Sequence, residues 1–145
     1  MFVSIGNSRM DKKFNCTDMT YEDFVSRLSK TKYTAETMEQ YRKMPKGQQD
    51  NIKDVGGFVL GKLKGGRRKK DCVVSRSAIT LDMDYGTQGI IDELEMFFDM
   101  KMVVYSTHKH TPEKPRLRII IFLTRDVTPD EYGCGKPYAC IGYRH

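Results

Sequence analysis

The sequence predicts an α+β fold, on three observations. Apolar residues recur at helical spacing from Thr20 to Pro45, extended apolar runs take over after Gly56-Gly57, and the second half reads in the order strand, helix, strand, loop, strand.

The elements follow in chain order. Phe2–Ile5 is a short apolar strand closed by a turn at Gly6-Asn7-Ser8. Thr20, with Asp23 three residues on, has the form of a helix cap, and Phe24, Val25 and Leu28 continue at helical spacing to Lys30. A second helix is expected from Thr34 to Pro45, whose ring stops it; Pro45 then opens a third short helix over KGQQDNIKD. Beyond Gly57, Phe58–Leu60 and Cys72–Val74 read as two strands flanking KLKGGRRKKD, a hairpin tip. Ala78–Leu81 is a strand ending in Asp82-Met83-Asp84, and a helix follows from Thr87 to Asp99 with Ile90, Ile91, Leu94, Phe97 and Phe98 on its apolar face. Met102–Tyr105 and Arg116–Leu123 are strands separated by the loop HKHTPEKP. Thr128-Pro129-Asp130-Glu131 carries helix-start signals, but Gly133, Gly135, Pro137 and Gly142 then interrupt any amphipathic pattern.

Composition bounds the function classes. With 145 residues, 39% hydrophobic and 30% charged, the chain suits one globular domain and is neither disordered nor fibrous. No run of 18 apolar residues is present to span a membrane, and MFVSIGNSRMDKKF lacks the apolar stretch of a secretory signal, so a cytoplasmic protein is expected. Cys16, Cys72, Cys134 and Cys140 show no paired framework and read as free thiols. The net charge of +6 admits a polyanionic partner without demanding one.

Four groups of residues could carry chemistry. Asp82 and Asp84 alternate at a strand end, so both carboxylates face one side, roughly 6–7 Å apart. That pattern can hold Mg²⁺ or Mn²⁺, with waters and substrate phosphates completing the shell, although a polar strand end before the turn Asp84-Tyr85-Gly86 has the same form. Ser106, His108 and His110 alternate in the next loop, which suits either phosphate binding or ordinary solvent exposure. Arg116 and Arg118 alternate on the following strand, with the Ile side chains expected on the other face; they suit a triphosphate, or salt bridges to Asp82 or Asp84. Lys62, Lys64, Arg67, Arg68, Lys69 and Lys70 put six positive charges within nine residues around Gly65-Gly66, a tip able to track nucleic-acid phosphates or simply a solvated face. Tyr85, Tyr105 and Tyr132 can stack on bases or pack in the core.

The run VSRSAITLDMDYG, followed by YSTHKHTPEKPRLRIIIFLTRDVTPDEY, resembles the archaeo-eukaryotic primase superfamily. It is most similar to the N-terminal primase-polymerase domains of phage and mobile-element replication proteins that often precede a virulence-associated-E type helicase, as is the upstream KDVGGFVLGKLKGGRRKKDCVVSRS. The resemblance covers roughly residues 1–132 and implies an RRM-like antiparallel sheet with flanking helices. The domain would then divide into a helical part, 1–55, and a sheet part, 56–132, with 133–145 an atypical tail.

On this resemblance Asp82 and Asp84 bind the catalytic Mg²⁺ or Mn²⁺, Ser106 and His108 contact the incoming nucleotide's phosphates, and Arg116 or Arg118 assists. Nucleotidyl transfer is implied: a 3′ hydroxyl attacks the α-phosphate and pyrophosphate leaves, with a nucleoside triphosphate and single-stranded or primer-template nucleic acid as partners. The superfamily's third acidic motif lies on a strand beyond the TPDEY helix, and the tail GCGKPYACIGYRH does not match it. A C-terminally truncated domain with slight or absent turnover is therefore expected, in the cytoplasm of a bacterial host. The alternative is a small phage or mobile-element binding protein that reuses the fold to inhibit a host nucleoprotein defence complex, in the manner of an anti-CRISPR protein.

Overall fold

In the computed structural model, which describes residues 1–133, the fold is α+β, with two three-stranded antiparallel sheets and short helices around them. In the first sheet β1 (Phe2–Gly6) lies between β2 (Asn15–Asp18) and β3 (Gly57–Leu60), with Val3 opposite Thr17 on one side and Leu60 on the other. In the second, β6 (Leu117–Val127) lies between β4 (Arg76–Met83) and β5 (Met102–Ser106). Hydrogen bonding between β1 and β3 crosses the expected boundary at residue 55, so the N-terminal segment contributes strands as well as helices.

The helices start where their caps dictate. Thr20 Oγ1 accepts the Asp23 amide at 3.0 Å and opens α1 (Tyr21–Leu28) as the sequence predicts. The second helix, α2 (Met38–Lys43), begins later than the expected Thr34. Thr37 and Gln40 form a reciprocal capping box there, satisfying two backbone amides that Thr34 would leave open. Pro45 precedes α3 (Lys46–Ile52). Gly89, at φ +88°, delays α4 to Ile90–Phe97. Phe97 is 73% exposed, so of the apolar face predicted for this helix only Ile90 and Leu94 are half-buried. Despite the glycines that follow, α5 forms over Pro129–Gly133, with Glu131 accepting from the Thr128 amide at 2.8 Å.

The predicted hairpin around Gly65-Gly66 is replaced by something else. Cys72–Val74 is not a strand; residues Lys64–Gly66 and Lys70–Cys72 form 3₁₀ turns, and only Leu63 and Val73 bridge. The cause is the left-handed backbone of Gly65 (φ +60°) and Gly66 (φ +67°), which turns the segment back onto the β1–β2 loop. There the Gly66 carbonyl accepts the Phe14 amide at 2.7 Å.

Both sheets share one core. Val3 and Leu60 of the first meet Ala78 and Ile120 of the second around Phe24 of α1, all nearly fully buried. Phe24 packs edge-on against Phe58 at 5.1 Å and Phe122 at 6.1 Å, geometry that adds to its burial energy.

Candidate functional site

β4 and β5 both run antiparallel to β6, so their C-terminal ends meet beside the start of β6. The register places Asp82, Arg118 and Tyr105 in one row across the sheet, with Met83, Leu117 and Ser106 in the next. Arg118 Nε donates to Asp82 Oδ1 at 2.6 Å. That bond, with a contribution from Tyr105, holds the guanidinium pKa above its ordinary value.

Asp84 lies just past β4 and pairs with Arg116, which precedes β6 rather than lying on it. Arg116 Nη2 is 3.1 Å from Asp84 Oδ1, and its Nε donates to the Asp84 carbonyl at 3.2 Å. His110 Nδ1 accepts the Arg116 amide at 3.2 Å and the Arg116 carbonyl accepts the Thr107 amide at 2.9 Å, so the 107–116 loop fixes that arginine's backbone. The salt-bridge alternative for the two arginines is thus realised, one guanidinium to each carboxylate. The expected separation of faces is not: Ile120 shares Arg118's face and packs into the core, while Leu117, Ile119 and Ile121 occupy the other.

The other expected phosphate ligands sit at the same end of β5 but with different neighbours. Ser106 is exposed. His108 packs against Tyr41 with ring centres 4.4 Å apart and planes tilted by 60°, and its Nε2 lies 3.8 Å from Glu36 Oε1. That Glu36 oxygen is buried without a hydrogen-bond partner, and the Glu36 pKa is lowered, chiefly by the Thr34 hydroxyl and its own backbone amide, with His108 contributing. Glu36 and Tyr41 went unnoticed in the sequence because nothing in a helix start marks which side chain a distant loop will reach.

Asp82 and Asp84 are a little over half exposed, and the Oδ2 of neither accepts a hydrogen bond among the described residues. Two open carboxylates suit Mg²⁺ or Mn²⁺, which keep several waters and take further oxygens from phosphates. No third His, Cys, Asp or Glu joins such a group among the described residues.

The basic segment is divided. Arg67, Arg68 and Lys69 line an open cleft of about 550 Å³ together with Arg9, Met10, Asp11, Lys12 and Lys13 of the β1–β2 loop. Lys62 instead lies over the Phe2 ring, 3.5 Å from its centre, and Lys64 and Lys70 fall outside the cleft lining. The sequence carried a signal for the second wall, the cations of RMDKK, but gave no reason to bring it beside Gly65-Gly66. Of the tyrosines proposed for stacking, Tyr85 is 93% exposed, Tyr105 joins the strand-end row, and Tyr132 lies under Arg76.

An α+β domain with paired carboxylates and guanidiniums at one strand end, and a separate cationic cleft, is the class this geometry defines. Residues 1–136 match the family model of the VapE N-terminal domain, and the chain belongs to that family, which links it to the virulence-associated E proteins of phages and mobile elements. No curated protein and no solved structure matches it. Among the described residues no helix is long and apolar enough to cross a membrane.

Proposed function

We propose that this domain is a primase-polymerase-like module of a phage or mobile-element replication protein, binding a nucleoside triphosphate and a divalent cation at the ends of β4 and β5. The observation that carries the proposal is the register, which collects Asp82, Arg118 and Tyr105 in one row, with the Asp84–Arg116 pair beside it. Asp82 and Asp84 would hold Mg²⁺ or Mn²⁺, which supplies charge neutralisation to phosphate oxygens when bound.

The chain's own residues supply the rest. Without ligand, each guanidinium neutralises one carboxylate. An arriving triphosphate competes for Arg116 and Arg118, because guanidinium forks match phosphate as well as carboxylate. Release of the arginines frees the aspartates, so nucleotide and cation bind cooperatively. Ser106 alternates to the sheet face opposite Tyr105 and His108 is seated against Tyr41, so Arg116 and Arg118 supply the phosphate side. Nucleotidyl transfer is slight, since no third carboxylate joins Asp82 and Asp84 among the described residues.

A second reading is favoured by the same ion pairs: a strand end that is already neutralised needs no ligand, leaving the domain to bind a host nucleoprotein complex by its surface. Calorimetric titration with a nonhydrolysable nucleoside triphosphate and Mn²⁺ separates the two. Binding that requires Mn²⁺ and disappears in Asp82→Ala supports the nucleotide site. A well-folded chain that binds no nucleotide refutes it and leaves the surface-binding reading.

A further inference from the structure

We infer that the cleft between the β1–β2 loop and residues 67–69 is a dedicated binding site for a single nucleic-acid strand, separate from the strand-end cluster. Six cations line it, Arg9, Lys12, Lys13, Arg67, Arg68 and Lys69, against one acid, Asp11. Asp11 offsets only one of them, and its Oδ2 accepts the Asn7 and Ser8 amides at 2.7 and 3.1 Å, which braces the loop. Lys12, Lys13, Arg67 and Lys69 make no ion pair among the described residues. Four unpaired like charges held together repel one another, which a polyanion would relieve.

The cleft is built rather than incidental. Lys13 and Arg67 form an antiparallel bridge, so their backbones run roughly 5 Å apart. The Arg68 amide donates to the Lys12 carbonyl at 3.1 Å, and Arg68 Nη1 donates to the Arg9 carbonyl at 3.1 Å. Gly66 lets the two segments approach this closely, because a side chain there would strike the Phe14 carbonyl. The walls are therefore fixed by main-chain bonds while the lysine heads stay free.

Shape selects the partner. A duplex reader presents a helix or ribbon to a groove roughly 12 Å wide, and this surface is concave instead. A flat anionic membrane calls for a broad apolar face, whereas Met10 is the only large apolar side chain in the lining. A cationic groove with one exposed apolar contact suits a single strand, whose phosphates track the cations while a base covers Met10. The inference rests on the replication-module reading for its choice of partner, and not on the nucleotide site.

The test is fluorescence anisotropy of a labelled oligothymidylate across a salt series, with the full chain and a quadruple variant, Lys12→Glu, Lys13→Glu, Arg67→Glu, Lys69→Glu. The expected result is at least a tenfold loss of affinity, with the salt slope smaller by about 2–3. A quadruple glutamine variant, checked by thermal melting, replaces it if charge reversal prevents folding. Wild-type affinity in a folded quadruple variant overturns the inference, as does equally strong competition by polyglutamate or anionic vesicles. Asp82→Ala keeps oligothymidylate binding if the inference holds, even where nucleotide binding fails; loss of strand binding in Asp82→Ala alone moves the strand to the strand-end cluster and overturns it.

Discussion

Arg118 and Asp82 stand directly opposite each other in the β6–β4 register and are joined through Nε and Oδ1 at 2.6 Å. If Asp82 is a cation ligand, Arg118 is its competitor. The pair is more than one-third exposed on both sides, so its removal is worth only about 1 kcal/mol, roughly fivefold. Arg118→Met should therefore tighten nucleotide-free Mn²⁺ binding about fivefold, read by electron paramagnetic resonance titration. Unchanged Mn²⁺ affinity would remove Asp82 from the ligand set.

Phe24 is fully buried at the meeting point of α1 and both sheets. Phe24→Ala should cost about 3–5 kcal/mol, the range for a large aromatic removed from a tight core. Urea unfolding measures it, and a loss below about 1 kcal/mol would mean the core relaxes around the gap.

Gly61 has φ +141°, its amide donates to the Phe2 carbonyl at 2.8 Å, and its carbonyl accepts the buried Ser4 hydroxyl at 2.9 Å. A methyl group there runs into the Ser75 carbonyl. Gly61→Ala should destabilise the domain by at least about 2 kcal/mol, seen as a lower melting temperature. Gly47, with open space around it, is the control: Gly47→Ala should be neutral or stabilising.

Asp50 ties α3 together, bonded to Lys53 at 2.8 Å and Lys46 at 2.9 Å, with Arg9 at 3.4 Å. Lys53 first, then Lys46, lowers its carboxyl pKa to about 2. A carboxyl with a depressed folded-state pKa stabilises fully above its unfolded value of 3.8, and that contribution disappears as pH falls towards 2. Asp50→Asn should flatten the melting-temperature profile between about pH 4 and 2. Glu131, lowered to about 2 chiefly by Arg125, titrates in the same window, so adding Glu131→Gln should flatten the profile further.

Caps and apolar runs made much of the fold legible. Thr20, Pro45 and the Ile-rich run of β6 each act through local chemistry that a sequence displays. β2 was not legible, because Asn15–Asp18 is exposed at every position and has no apolar alternation; only its pairing with β1 makes it a strand. The false strand at Cys72–Val74 has the opposite cause, an apolar run overridden by two left-handed glycines. At the strand end, period-two alternation sufficed to group Asp82 with Asp84 and Arg116 with Arg118 and to offer salt bridges between the two groups. Which guanidinium meets which carboxylate, the seating of His108 against Glu36 and Tyr41, and the approach of the RMDKK loop to residues 67–69 depend on contacts between distant segments, which one sequence does not display.

The shared core also determines how this chain could be divided. A cut between Leu60 and Arg76 gives one piece carrying Val3, Phe24 and Leu60 and another carrying Ala78 and Ile120. Each piece keeps a three-stranded sheet yet exposes the apolar face that the other covers, so neither half is a free-standing unit. Made separately, the two fragments should be insoluble, and made together they should reassemble through that shared face.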